Sequence, residues 1–159
     1  MLDCKDRLEN YLRENAVSFE VQYHPRVITA QEVAATEHVP GKMLAKTVMV
    51  LADGEMVMLA LPAPYRVDLE KTGEFLGAKE VRLAEEKEFE NEFPDCEVGA
   101  MPPFGNLYDL PVYADESLAD DETIFFRAGT HTDTISVRYA DFHRLVQPTV
   151  VKFADPPGV

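Results

Sequence analysis

Two hydrophobic rhythms run along the chain, one near four residues and one of two, and their order outlines a fold. Cys4, Leu8, Tyr11 and Leu12 recur at helical spacing, which predicts an amphipathic helix over Asp3 to Asn15. Phe19, Val21 and Tyr23 then alternate with Glu20 and Gln22, the pattern of a half-buried strand ended by His24-Pro25. Thr29 and Glu32 form a capping box with Ile28 and Val33 as its hydrophobic staple, so a second helix begins there and stops at Pro40-Gly41. Leu44 to Leu51 is a continuous apolar, β-branched run. Asp53-Gly54 follows as a hairpin turn, and Met56 to Leu61 forms the returning strand.

Further along, Asp68 caps a predicted helix over Val67 to Gly77, and Val81 to Leu83 is a short strand. Glu85 to Phe93 is an acidic helix whose apolar face reduces to Phe89 and Phe93, with Pro94 as its stop. Leu110 to Tyr113 and Ile124 to Phe126 read as strands on either side of an acidic turn, Asp115 to Glu122. Ile135, Val137 and Tyr139 alternate as another strand, before a helix over Ala140 to Val146 and a last apolar piece, Val150 to Phe153. Strands outnumber helices, hairpin signals dominate and no regular βαβ alternation exists. The pattern predicts an α+β fold: a mixed, largely antiparallel sheet, curled on itself, with helices packed outside. Residues 1–154 form one domain, and 155–159, with Pro156-Pro157-Gly158, form a loose tail.

Charge narrows the function classes. With 29 acidic against 15 basic residues the net charge is -14, which argues against DNA or any broad, salt-driven nucleic-acid interface. A local contact with one end of a nucleic acid is still allowed. No apolar stretch approaches the roughly 20 residues of a membrane span, and Met1 to Asp6 carries charge where a secretory signal needs an apolar core. A cytoplasmic protein is expected. Cys4 and Cys96 lack C-x-x-C spacing, and His24, His38, His131 and His143 lack helical pairing. Reduced thiols, no metal and no cofactor are therefore expected.

Three stretches carry candidate chemistry. Lys46 stands inside the apolar run Leu44 to Leu51 and shares strand parity with Leu44, Val48 and Val50. On residue physics alone the favoured reading is an edge lysine that snorkels to water, since unpaired ammonium groups are seldom buried. The loop Gly99-Ala100-Met101-Pro102-Pro103-Phe104-Gly105 is shaped by its prolines. Backbone donors can come from Gly99, Ala100, Met101, Phe104 or Gly105, because proline has no N–H. Gly129-Thr130-His131 is a tight turn whose histidine could serve a pocket or lie on a surface. No nucleophile elbow and no phosphate-binding glycine loop is present.

Taken in order, these stretches resemble the YbaK/EbsC family of aminoacyl-tRNA deacylases, which includes the insertion editing domain of bacterial prolyl-tRNA synthetases. The resemblance runs from Tyr23-His24-Pro25 to Pro148. It includes Thr29 to Ala34, Val39-Pro40-Gly41, Lys46-Thr47-Val48, the G-x-x-x-P loop Gly99 to Pro103, and the G-x-H turn Gly129 to His131. It implies a barrel-like mixed sheet with a pocket between the lysine strand and the two loops. The implied reaction is hydrolysis of the ester at the 3′ end of a mischarged tRNA by water, with Lys46 holding or polarising the substrate. Gly99, Ala100, Met101, Pro103, Phe104, Gly105, Gly129, Thr130 and His131 would then be substrate-binding. Phe104 and Met101 would close the pocket, and His131 would exclude larger side chains. Alanine is the first expected substrate and serine the second.

The partners expected are the acceptor end of an aminoacyl-tRNA and, as a source of tRNA affinity, a tRNA synthetase. Lys42, Lys46, Arg66, Lys71, Arg127 and Arg138 are candidates for a small basic rim. The acidic balance keeps open a second class, a non-catalytic module binding an aminoacyl group, a nucleotide or a protein in the same pocket.

Overall fold

The structure, a computed structural model, describes residues 3–25, 35, 37 and 40–158. Helix α1 spans Cys4–Glu14 and is capped by the Asp3 side chain, which accepts from the Asp6 N–H. Its buried residues are Cys4, Leu8 and Leu12, the face read from the spacing. Strand β1 (Glu20–Tyr23) follows, but Val21 and Tyr23 are 41% and 76% exposed. The alternation was correct in period and wrong in side. β1 is the edge of its sheet, and Gln22 makes the cross-strand contacts, bonding the side chains of Thr134 and Ser136. The helix expected from Thr29 lies outside the described residues.

The centre of the molecule is the hairpin of β2 (Ala45–Ala52) and β3 (Glu55–Pro62), paired antiparallel along all eight residues of each strand. Asp53 and Gly54 at its tip both have positive φ, 49° and 86°, which matches the right-handed twist of the two strands. β3 is buried on both faces, as its unbroken apolar run requires. After β4 (Arg66–Val67), helix α2 (Leu69–Leu76) is capped by Asp68 and ended by Gly77 in the left-handed region. Then come β5 (Val81–Leu83) and a helix shorter than expected. Regular α3 covers only Glu86–Phe89 and tightens into a 3-10 turn over Glu90–Glu92, because Phe89 and Phe93 are the only buried anchors available.

Strands β6 (Val112–Asp115), β7 (Thr123–Arg127) and β8 (Asp133–Arg138), helix α4 (Tyr139–Val146), and strands β9 (Thr149–Val151) and β10 (Ala154–Asp155) complete the chain. One sheet has the order β5-β2-β3-β6-β9 and another β1-β8-β7, while β10 pairs with β4. Among the strand pairs of the described residues, β3–β6 and β6–β9 are parallel and the rest antiparallel, so the sheets are mixed and largely antiparallel as expected. The expected tail starts one residue too early: Asp155 pairs with Arg66 and its carboxylate lies 3.6 Å from the Lys71 ammonium. The main core joins the inner faces of both large sheets to α1 and α4, with Phe104, Phe126 and Phe142 fully buried in it. A second cluster, around Val50, Leu59, Leu61 and Phe153, fills the opposite face of the five-stranded sheet. Among the described residues no helix is long and apolar enough to cross a membrane.

The cysteines differ from expectation. Cys4 of α1 and Cys96 form a disulfide across 92 positions of sequence. Spacing rules look for neighbours in the chain, whereas this pair is created by the docking of α1 onto the segment before Gly99. The Cys4 N–H donates to the Asp95 carbonyl at 2.9 Å in the same contact.

Candidate active site

The site begins with an incomplete edge. β3 covers one side of β2 completely, but β5 covers only Val50, Leu51 and Ala52 on the other. At the uncovered end, Leu44 makes a parallel bridge to Phe125, which brings the two large sheets together. A cavity of about 180 Å³ opens there. Leu44, Ala45, Lys46 and Thr47 form one wall, and Gly99, Met101 and Arg127 the other. Residues of both parities on β2 touch it, so the cavity wraps the open strand edge.

Lys46 lies opposite Leu61 and on the same face as Val48 and Val50, as its parity required. It is half-buried, and among the described residues no carboxylate stands within ion-pair distance. Burial pushes its pKa below the ordinary lysine value, because desolvation disfavours the ammonium. The other candidates for a basic rim are largely spent. Lys42 is 2.9 Å from Asp120, Lys71 pairs with Asp155, and Arg138 is 3.9 Å from Glu122. Among the described residues, Lys46 and Arg127 are the two cations that line the cavity.

The opposite wall is two loops tied into one unit. Glu97 N–H donates to the Gly129 carbonyl at 2.9 Å, and Gly129 N–H donates to the Ala100 carbonyl at 2.9 Å. His131 sits 6% exposed with Nε2 2.8 Å from the Val98 carbonyl. A carbonyl can only accept, so Nε2 carries a proton and donates it. Among the described residues Nδ1 has no partner. The His131 N–H donates to a Glu97 carboxylate oxygen at 3.0 Å, and Arg127 Nη1 donates to the Gly99 carbonyl at 2.9 Å. Beneath both loops lies the Cys4–Cys96 disulfide, with the Tyr108 hydroxyl donating to Asp95 at 3.0 Å and the Arg7 guanidinium over its ring. Burial, then the neighbouring Asp95, pushes the Tyr108 phenol well above its usual pKa.

The predicted site residues therefore separate. Lys46, Gly99 and Met101 meet at the cavity. Ala100 and Pro103 are buried and do not line it. Phe104 is in the core rather than over the pocket, its ring 5.2 Å from Phe126 and 5.7 Å from Phe142. An aromatic ring with that many apolar neighbours gains more from the core than from a partly wet lid. Gly105 is a packing glycine, since a Cβ there would meet Val112 Cγ2 at 2.7 Å. Gly129 has φ +92°, and a Cβ on it would run into the Cys4 side chain. Thr130 turns inward to donate to Asp133 at 2.7 Å, which holds the turn. His131 is placed behind the Gly99 loop rather than on the cavity lining. Thr47, whose hydroxyl is buried without a partner among the described residues, and Arg127 line the cavity without having been singled out as site residues. Arg127 stands two positions before Gly129, which was the available signal.

Known proteins are similar to this chain in sequence and in fold. The model of the aminoacyl-tRNA editing domain matches residues 24–145. The multifunctional Ser/Thr-tRNA deacylase ProXp-y of Escherichia coli K12 is 28% identical over 152 residues, covering 92% of this chain and 90% of that protein. The proline–tRNA ligase of Leuconostoc citreum is 30% identical over 131 residues, 82% of this chain but only 22% of the ligase, so the chain spans about a fifth of that enzyme. Among solved structures, a protein provisionally described as a trans-editing enzyme for prolyl tRNA synthetase superposes with a TM-score of 0.84 at 20% identity, over 98% of this chain and 99% of that one. The hypothetical protein APE2540 gives 0.85 at 18% identity, over 94% and 99%, and like the former supports the fold alone. With the family model spanning most of its length, the chain belongs to the aminoacyl-tRNA editing domain family.

Proposed function

We propose that this protein is a trans-editing deacylase that hydrolyses the ester of mischarged aminoacyl-tRNA carrying a small amino acid. The single observation that carries the reading is the convergence of Lys46, Gly99 and Met101 on one cavity of about 180 Å³, a size suited to a small aminoacyl group. Water is the nucleophile. It adds to the ester carbonyl carbon, the carbonyl electrons move onto oxygen, and the tetrahedral intermediate then expels the ribose oxygen, which takes a proton. Lys46 supplies positive charge where the oxyanion develops, and backbone N–H groups of the Gly99 loop supply further donors. A ribose hydroxyl of the terminal adenosine assists water, as the family resemblance implies.

Alanine and serine are the first substrates to test. Threonine joins them because ProXp-y is named for Ser/Thr-tRNA. A difference of one methylene is worth only about 1–3 kcal/mol in a pocket, so overlapping substrates are expected. Binding of tRNA is expected to be weak and salt-sensitive, given a net charge of -14 and, among the described residues, two cations at the cavity. Contact is with the acceptor end, a tRNA synthetase is the candidate source of extra affinity, and the cytoplasm is the expected location.

The test is release of amino acid from alanyl-, seryl- and threonyl-tRNA by the native protein and by Lys46→Ala. Native release that falls about 100-fold or more in the variant supports both the activity and the role of Lys46. Equal release by both keeps the activity and removes the lysine. The acidic surface favours a second reading, a non-catalytic binding module, which predicts saturable binding of aminoacyl-tRNA with no release by either protein.

A further inference from the structure

Four successive carbonyls of the loop are each held by a donor. Glu97 C=O accepts from Ala100 N–H at 3.0 Å, and Val98 C=O from His131 Nε2 at 2.8 Å. Gly99 C=O accepts from Arg127 Nη1 at 2.9 Å, and Ala100 C=O from Gly129 N–H at 2.9 Å. A trans peptide is planar, with N–H and C=O on opposite sides, so fixing each carbonyl also aims the N–H that follows it. The N–H groups of Gly99 and Met101, the two loop residues at the cavity, are outside the loop's own hydrogen bonds among the described residues. Gly99 has φ +85°, a conformation open to glycine and costly for other residues, and glycine loses the most freedom when ordered. The loop thus has a pivot at the very residue whose peptide planes must stay still.

Arg127 is the side chain that both lines the cavity and holds this pivot. It is the last residue of β7, which is paired with β8 through Thr134, so its backbone is anchored in the sheet. A charged donor makes a stronger hydrogen bond to a carbonyl than a neutral one. We propose that Arg127 is a positioning residue of the deacylation reaction: it locks the Gly99–Ala100 peptide plane, the link between the Val98–Gly99 plane held by His131 and the Ala100–Met101 plane held by Gly129, and so keeps the Gly99 and Met101 N–H groups in a fixed relation to the substrate carbonyl. The proposal rests on the deacylase reading above, and its test separates the two.

Arg127→Met and Arg127→Lys are compared with the native protein by deacylation kinetics and by amide hydrogen exchange of Ala100, whose N–H is held only while that peptide plane is fixed. In Arg127→Met, kcat is expected to fall about 10- to 100-fold, KM to change less than about threefold, and Ala100 exchange to accelerate. Arg127→Lys, which keeps a charged donor, is expected to recover most of kcat and the slow exchange. A raised KM with intact kcat and a smaller salt dependence would instead make Arg127 a phosphate contact and overturn the proposal. Unchanged kcat and unchanged Ala100 exchange in Arg127→Met would overturn it as well. If the native protein releases no amino acid, the deacylase reading falls and the catalytic role with it, while the exchange measurement still decides whether Arg127 fixes the loop.

Discussion

The two walls of the cavity are built in opposite ways. The β2 wall belongs to a hairpin of contiguous sequence, where eight cross-strand pairs fix every residue relative to its neighbour. The loop wall draws on Asp95 to Met101, Arg127 to His131 and α1, segments far apart in sequence and joined by long-range hydrogen bonds, a disulfide and shared core packing. A local wall loses little from any one change. A wall assembled from distant parts depends on a few contacts, and each of them reaches several segments at once.

Two glycines with nearly the same backbone conformation expose this contrast most sharply. Gly129 (φ +92°) abuts Cys4, with Cys4 Cβ only 2.6 Å from where its own Cβ would stand, whereas Gly54 (φ +86°) at the hairpin tip has nothing within 4 Å. Gly129→Ala is expected to cost about 2–5 kcal/mol, combining the left-handed penalty of about 1–2 with overpacking of about 1–3. Equal destabilisation by Gly129→Ala and Gly54→Ala in urea titrations would break the comparison.

Next in size is the Cys4–Cys96 bridge. Reducing it, or replacing both cysteines by alanine, is expected to cost about 2–4 kcal/mol, since it closes a long loop in the unfolded chain. The loss should be accompanied by faster amide exchange at Glu97 and Gly129, which lie next to the bridge and bond each other. Unchanged melting in the presence of a dithiol reductant would mean that α1 is held by packing alone.

On the local wall, Lys46 links activity and stability in opposite directions. Its folded pKa is lowered by burial, so the unfolded chain binds the proton more tightly over the interval between the two values. Stability from this group therefore rises with pH across that interval, and the cost of the buried ammonium is fully present below it. Activity that needs the ammonium falls as pH rises through the lowered value, at a less alkaline pH than an ordinary lysine would give. Lys46→Met is expected to abolish hydrolysis while leaving melting unchanged or slightly raised at pH 7. A variant that is both inactive and markedly less stable would make Lys46 structural. Smallest of all, Gly54→Ala should cost about 1–2 kcal/mol, with deacylation unchanged.

The same division governs what could be read without coordinates. The hairpin was legible from β2, Asp53-Gly54 and β3 because register and turn chemistry are local properties. The helix cap at Asp68 followed for the same reason. The face of β1 was misread because its alternation does not say which side a neighbouring sheet will cover. Glu85 to Phe93 was read too long because two aromatic anchors do not hold about two and a half regular turns. Phe104 was placed at the pocket by its position in the loop, yet its ring found Phe126 and Phe142, residues that only the folded chain brings near. The disulfide was missed for a related reason: the two cysteines meet through helix docking, not through spacing.

By itself the sequence determined the order of the elements, the α+β class, the central hairpin and the presence of a lysine in an apolar strand, all set by periodicity and turn residues acting over a few positions. Family membership was legible too, in motifs that hold their order along the chain. Tertiary structure alone decided which of those motif residues face the cavity, which are core, and that Arg127 grips the Gly99 carbonyl. The physical reason is that a cavity wall is a set of directions in space. Backbone periodicity sets such directions within one strand, while between segments they are set only by the hydrogen bonds, packing and covalent links that form when the chain closes on itself.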